Sequence, residues 1–266
     1  MKRIIMHIDV NNAFLSWTAV LLLKQGFKYD IRNSYAIIGD EDNKRHGIVL
    51  SKSTPIKRFG VKTAEPIFMA RKKCPNLKVY KPDYAWYKKM SDAMFELIST
   101  YTPDIEKMSI DECFLDYGPI KHLYGDEVEF AYRLKDEIKR KLGFTVNIGV
   151  ANCKLCAKMA SDFTKPNKVH TLWKEEIPQK MWTLPIFELF MLGKKTVPKL
   201  LNMQIKTIGD LAKTEKSKLE KKFGKHGVLM WEYANGIDNT EVKYLPEKPK
   251  CVGNSVTLPK NISDII

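Results

Sequence analysis

The sequence predicts an α+β fold: a split sheet with helices on one face, followed by a separate helical segment. Three observations carry that expectation. Segments 3–10, 83–102, 105–118, 127–142 and 144–151 read in order as strand, helix, hairpin, helix and strand. Residues 13–80 read as an insertion after the first strand, and from about 173 the chain turns helical and basic. With 44% apolar residues over 266 positions, there is material for a real core.

Local pattern justifies each element. "RIIMHIDV" (3–10) is β-branched, apolar, long enough for a buried strand, and closed by Asp9. "NNAFLSWTAVLLLKQG" has an asparagine start signal and stops at Gly26, which marks a helix. "SYAIIG" and "IVLSKS" read as short strands around the loop "DEDNKRHG". "IKRFGVKTAEPIFMARKKCP" reads as two short helical pieces broken at Gly60 and Pro66. In "DYAWYKKMSDAMFELISTYTP", Trp86, Met90, Ala93, Met94 and Leu97 recur at helical spacing before Pro103. "IEKMSI" and "CFLDYG" are strand-like, "EVEFAYRLKDEIKRKLG" is an amphipathic helix ending at Gly143, and "FTVNIGVA" is a strand. "KLCAKMASDFTKPN" is a helix stopped before Pro166. "LGKKTVPKLLNMQIKTIGDLA" and "KLEKKFGKHGVLMWEYANGID" each read as a helix–hairpin–helix unit, whose amides and lysines suit a phosphate backbone. After the charged linker "NGIDNTEVKYLPEKPK", a strand begins at "CVGNSVTL"; the stop at Ile266 reads as a domain cut off at its start.

The net charge is +14, from 45 Lys and Arg against 31 Asp and Glu, with an isoelectric point near 9.4. The basic residues cluster at 58–73, 135–141 and 194–225, which favours nucleic acid over solubility charge or an anionic membrane surface. "AVLLL" (19–23), the longest apolar run, falls far short of the roughly 18 residues of a membrane span. A soluble, cytoplasmic protein is expected. Five scattered cysteines (74, 113, 153, 156, 251) imply reduced thiols. "CKLC" (153–156) has the spacing of half a zinc site, but with no second pair nearby it reads as helical packing.

"KMSIDECFLDYG" (107–118) carries the chemistry. Asp111 and Glu112 stand side by side, where a straight strand would point them to opposite faces. A two-residue turn at 111–112 puts Met108, Ile110, Cys113 and Leu115 on one face and both acids at the bend, near Asp9. Three carboxylates at one sheet edge repel unless divalent cations join them, and oxygen-only donors favour Mg²⁺ over zinc.

The stretch "SIDECFLD" closely resembles the signature of the Y-family translesion DNA polymerases, of the impB/mucB/samB type. "HIDVNNAFLSW", "KRFGVKTAEPIFMARKKCPNL", "VNIGVANCKLCAKMASDFTKPN" and "GKKT"/"FGKHG"/"ANGID" match the same family in order, over about residues 3–260. The resemblance implies a right-hand polymerase: a ferredoxin-like palm (1–12 and 81–172), small inserted fingers (13–80) and a helix–hairpin–helix thumb (173–240). A linker (241–252) and the start of a little-finger domain (253–266) would follow. It implies translesion synthesis in DNA repair, with two Mg²⁺ ions, primer–template DNA and dNTPs. Asp9 and Asp111 would bridge both ions, Glu112 would serve one, and Val10 would give its carbonyl to the second. Phe14 would be the steric gate against a 2′-hydroxyl. Lys57 and Lys165 would contact the triphosphate, with the amides of Asn12 and Ala13. Lys194, Lys195 and Lys225 would bind DNA. A monomer is implied, with a sliding-clamp contact through a C-terminal region outside this sequence.

Some positions depart from the pattern. Thr54 stands where relatives have a phosphate-contacting Tyr, and Lys57 where Arg, with its bidentate fork, is usual. Asn11 replaces an acid found in many relatives, Cys113 a common Ala, and Met191 the first Gly of the first thumb hairpin. Two other readings, a nucleotide cyclase and a non-catalytic DNA-binding protein, fit the sequence less well. A nucleotide cyclase has no duplex for basic hairpins to grip, and a non-catalytic DNA-binding protein has no need of crowded carboxylates.

Overall fold

The computed structural model describes residues 3–41, 47–244 and 251–255. Most of the loop "DEDNKRHG", and most of the expected linker and little-finger start, lie outside the described residues. The elements run β1 (Ile5–Val10), α1 (Ala13–Lys24), β2 (Ala36–Ile38), β3 (Ser51–Lys52), α2 (Ile67–Lys73), β4 (Lys78–Tyr80) and α3 (Tyr84–Ser99). Then come β5 (Ile105–Lys107), β6 (Glu112–Asp116), α4 (Lys121–Tyr124), α5 (Glu127–Leu142), β7 (Val146–Ala151), α6 (Lys154–Asp162) and β8 (Val169–Leu172). Five helices close the series: α7 (Ile177–Lys180), α8 (Val197–Leu201), α9 (Ile208–Lys213), α10 (Lys216–Phe223) and α11 (Lys225–Ala234). Two compact units emerge: the residues through Asn11 with Ala93–Tyr244, and Asn12–Asp92.

The first unit holds a five-stranded sheet in the order β5-β6-β1-β7-β8. Neighbours are antiparallel except β7 and β8. Strand β1 sits at the centre because it is apolar at both parities: Ile5, Met6 and Ile8 are fully buried. Each such burial contributes about 1.5–3 kcal/mol. His7 is paired across to Phe114 and Gly149, and Asp9 to Glu112 and Asn147, so these six residues share one face. On that face α6 lies so close that a Cβ on Gly149 would meet the Ala157 carbonyl oxygen at 1.9 Å. Ile5, Phe114 and Ala151 continue it into one apolar cluster with Leu155, Ile177, Leu200 and Leu219. On the opposite face Met6, Ile8, Cys113, Leu115, Ile148 and Val150 are also completely buried. The sheet is therefore covered on both faces, not one. Helix α5 packs against β7 and β8; it starts at Asp126, whose Oδ1 accepts from the Val128 and Glu129 amides, and ends at Gly143 with φ 81°.

The hairpin differs in its turn. Lys107 pairs with Cys113, and the amides of Met108 and Ser109 donate to the Glu112 carbonyl. The connection thus spans 108–111, and Glu112 is the first residue of β6 rather than part of a two-residue turn. Met108 and Ile110 are exposed, so they do not join the buried face of Cys113 and Leu115. Strands β4 and β8 are short and carry no marked alternation; the sequence reading missed both.

The helices α7–α11 pack within the same unit. At α9, Thr207 Oγ1 accepts from the Asp210 amide at 3.0 Å while Asp210 Oδ2 accepts from the Thr207 amide at 2.9 Å. Between α10 and α11 a Cβ on Gly227 would lie 2.1 Å from the Leu219 carbonyl oxygen, so close helix contact requires glycine there. Met191 takes the left-handed conformation, φ 69°, and is exposed. Met191→Gly is expected to stabilise the chain by about 0.5–1 kcal/mol in denaturant unfolding, because relief of backbone strain exceeds glycine's entropy cost.

The second unit holds a three-stranded sheet, β3-β2-β4, over a core of Ile37, Val49, Ile56, Val61, Ile67 and Leu77. Its two helical pieces, a 3₁₀ turn at Pro55–Phe59 and α2, are separated as expected by Gly60 (φ 69°) and Pro66. Helix α1 buries Leu15, Trp17 and Ala19, and the Trp86 indole N–H donates to the Trp17 carbonyl at 2.8 Å.

Candidate functional site

In the first unit the site grows from the β1–β6 pairing. Because Asp9 and Glu112 are direct partners, their side chains leave the sheet on one side, at the end where β1 finishes. Asp111 precedes Glu112 in the turn, its Oδ1 accepting from the Ser109 hydroxyl at 2.7 Å, and its carbonyl accepting from the Val10 amide at 3.0 Å.

Each paired carboxylate meets a lysine. Lys165 binds Asp9 and also Asp162, the latter at 2.8 Å. Lys158 from α6 reaches Glu112 Oε2 at 2.5 Å. Beneath them His7, fully buried, has Nε2 3.3 Å from the same Glu112 oxygen and Nδ1 2.8 Å from Ser161 Oγ. His7 and Lys158 together outweigh burial and hold the Glu112 carboxyl down at about 2. Burial lowers the His7 pKa, so the ring is neutral at pH 7. Asp9 shows the reverse: burial raises its pKa in spite of Lys165. The asymmetry has a cause: Asp9 is the more buried of the two, and Lys165 divides its charge between Asp9 and Asp162.

Lys165 is placed by an asparagine network. Asn147 Nδ2 donates to the Ser161 and Thr164 carbonyls at 3.0 and 2.8 Å, and its Oδ1 accepts from Asn11 Nδ2 and the Lys168 amide, both at 3.1 Å. Asn11 Oδ1 accepts from the Asn167 amide at 2.8 Å. Sequence reading missed His7, Asn147, Lys158 and Ser161. Period-2 spacing from Asp9 was the available signal for His7, while Asn147 and Lys158 look like ordinary strand and helix residues.

Among the described residues, no three His, Cys, Asp or Glu side chains gather into an ion-binding cluster, at "CKLC" or at the carboxylates. The donor chemistry nonetheless fits a hard divalent ion: the three acids offer oxygen only, and burial raises the Asp9 pKa even with Lys165 beside it. The ammonium groups of Lys158 and Lys165 place positive charge beside Glu112 and Asp9.

In the second unit, Asn12 caps the start of α1 in the left-handed conformation, φ 48° and ψ 50°. Asparagine is the expected start signal, but its side chain does not cap the helix; Nδ2 donates to Thr54 Oγ1 at 3.3 Å. The first intrahelical bond is Ser16 N–H to the Asn12 carbonyl, so the amides of Ala13, Phe14 and Leu15 have no acceptor inside the helix. The half-buried Phe14 ring stacks on Tyr87 at 4.6 Å and 6°, with Tyr84 edge-on at 6.2 Å. Lys57 is exposed on the 3₁₀ turn, and Lys194, Lys195 and Lys225 are exposed around the α8 and α11 starts.

A family model described as the impB/mucB/samB family matches residues 8–162, and one described as the thumb domain of DNA polymerase-iota matches 191–238. The chain is 50% identical over 265 residues to DNA polymerase IV of Clostridium acetobutylicum, covering 99% of this chain and 66% of that protein. It is 36% identical over 266 residues to DNA polymerase IV of Acetivibrio thermocellus, covering 99% of this chain and 65% of that one. It thus spans just under two thirds of the length of these curated relatives. In fold it is similar to DinB from Sulfolobus solfataricus, at TM-score 0.78 and 24% identity over 91% of this chain and 69% of that one. An insertion ternary complex of Dbh DNA polymerase gives TM-score 0.79 at 24% identity, over 90% and 69%. No helix among the described residues is long and apolar enough to cross a membrane. The matched model takes in the carboxylates of Asp9, Asp111 and Glu112 and covers more than half of the sequence, and so the chain belongs to the impB/mucB/samB family.

Proposed function

We propose that this chain carries the catalytic part of a translesion-type, template-directed DNA polymerase that adds deoxynucleotides to a primer 3′-hydroxyl. The observation that supports it most is the pairing of Asp9 with Glu112 across β1 and β6, with Asp111 adjoining. The relatives named DNA polymerase IV support the same reading. In this reading 1–12 and 81–172 are the palm, 13–80 the fingers and 173–240 the thumb.

Two Mg²⁺ ions, held by Asp9, Asp111, Glu112 and the Val10 carbonyl, would lower the pKa of the attacking hydroxyl and neutralise the leaving pyrophosphate. The residues themselves then have separate tasks. Asp9 and Glu112, paired here with Lys165 and Lys158, would hold the ions, and Lys165 would then counter triphosphate charge. Lys57 does the same as a point charge, without the bidentate grip of arginine. Thr54, tied to Asn12, and the open amides at the α1 start bind phosphate oxygens. Phe14, its ring fixed against Tyr87, presents a rigid face to the sugar and excludes a 2′-hydroxyl. Lys194, Lys195 and Lys225 hold the DNA backbone, so binding weakens steeply with salt. The same reading makes the protein a cytoplasmic monomer.

Primer extension with Mg²⁺, dNTPs and a primer–template tests the activity. Template-dependent addition of single nucleotides is expected; conversion of free nucleotides to a cyclic product without addition would contradict it. Phe14→Ala is expected to raise ribonucleotide relative to deoxyribonucleotide incorporation about tenfold or more. An unchanged ratio would remove Phe14 from the gate.

A further inference from the structure

The proposed polymerase reaction leaves the "CKLC" motif unused. Cys153 is the N-cap of α6, and its sulfur accepts from the Cys156 amide at 3.5 Å, so the first sulfur stands over the start of the second cysteine's turn. The Cys153 thiol faces the Gly236 carbonyl oxygen at 3.6 Å. A Cβ built on Gly236 would come 3.2 Å from the Cys156 sulfur, which places that sulfur beside the same segment. Both cysteines are largely buried, at 6% and 3% exposure, yet both line one open pocket of about 580 Å³ together with Arg3, Lys174, Gly236 and Asp238.

We infer that Cys153 and Cys156 form a reversible dithiol–disulfide pair, a redox modification site that reacts with small disulfides of the glutathione type entering this pocket. Three features point the same way. Residues three apart at a helix start are neighbours, and here one sulfur already contacts the other residue's amide. The helix N-terminus favours a thiolate on Cys153. Arg3 and Lys174 offer cations to an anionic oxidant, against Asp238 and Glu175 on the same wall. The thiol hydrogen bond between the two cysteines lowers the Cys153 pKa and, with burial, raises that of Cys156, so the two are differentiated as attacking and resolving groups.

The step balances as two exchanges. The Cys153 thiolate attacks one sulfur of glutathione disulfide, forms a mixed disulfide and expels one glutathione thiolate. Cys156 then loses its proton, attacks the Cys153 sulfur and expels the second. The protein gives up two electrons and two protons, and the oxidant becomes two glutathione thiols. The disulfide has no S–H to offer Gly236, which removes one of the contacts, with Leu155 N–H to Asp238 Oδ2 at 2.9 Å, that tie 236–238 to the α6 start.

The test treats the folded chain with glutathione disulfide, quenches, unfolds, alkylates and digests with trypsin, which cuts after Lys154 between the two cysteines. The expected result is that the peptide ending at Lys154 stays joined to the one beginning at Leu155, lighter by two hydrogens and separated again by dithiothreitol. Cys156→Ser should stop at a glutathione adduct on Cys153, and amide exchange at 236–238 should rise in the oxidised wild type. Exposed Cys251 serves as the reactivity control. Alkylation of both Cys153 and Cys156 in wild-type chain whose Cys251 has been glutathionylated would overturn the inference. So would an adduct trapped on Cys156 in Cys153→Ser with none on Cys153 in Cys156→Ser.

Discussion

Glu112→Gln is expected to lower primer extension by at least about 10³-fold while the chain stays folded. Glutamine keeps the size of the side chain and one oxygen but loses the charge that an ion would neutralise. The substitution also leaves Lys158, whose side chain is 13% exposed, facing a neutral partner. Its cost to stability is about 1–2 kcal/mol, below that of a broken fully buried pair because Glu112 is partly open to water. Single-turnover extension and thermal unfolding separate the two effects. Extension within tenfold of wild type would remove Glu112 from the reaction.

Gly149→Ala is expected to destabilise the chain by about 3 kcal/mol or more. The new Cβ would stand 1.9 Å from the Ala157 carbonyl oxygen and 2.5 Å from the Ser161 amide. Both are backbone atoms of α6, so no flexible side chain can give way. Relief requires α6 to lift from β7, and α6 carries Lys158 to Glu112 and Ser161 to His7. A fold-level substitution should therefore reduce primer extension as well. Urea denaturation measures the first effect; a loss below about 1 kcal/mol would show that the helix moves more freely than this packing implies.

These two positions show what the sequence exposes and what it hides. Glu112 was legible because two acids in an apolar strand segment are anomalous at short range. Gly149 was not, since only the approach of α6 makes that glycine necessary. The long helices and β1 were readable from period and caps, because their apolar residues recur over enough positions. The turn was misplaced because alternation was assumed to continue through Met108 and Ile110, which solvent exposure leaves unconstrained. Asn147 escaped notice for a related reason: its four partners lie outside its own strand, three of them 14 to 21 residues away and Asn11 136 residues away. Asn12 was read correctly as a helix start, but its side chain serves Thr54 rather than the helix.

In the proposed reaction Asp9, Asp111 and Glu112 act together as ligands to a divalent ion, although lysines pair with two of them in this structure. The most direct measurement is Mn²⁺ binding followed by electron paramagnetic resonance, with a primer–template ending in a dideoxynucleotide and the matching incoming nucleotide present. Saturable binding by the wild-type chain, competed by Mg²⁺ and lost in both Asp9→Asn and Asp111→Asn, is the predicted result. Mn²⁺ binding that is unchanged in those two variants would contradict it.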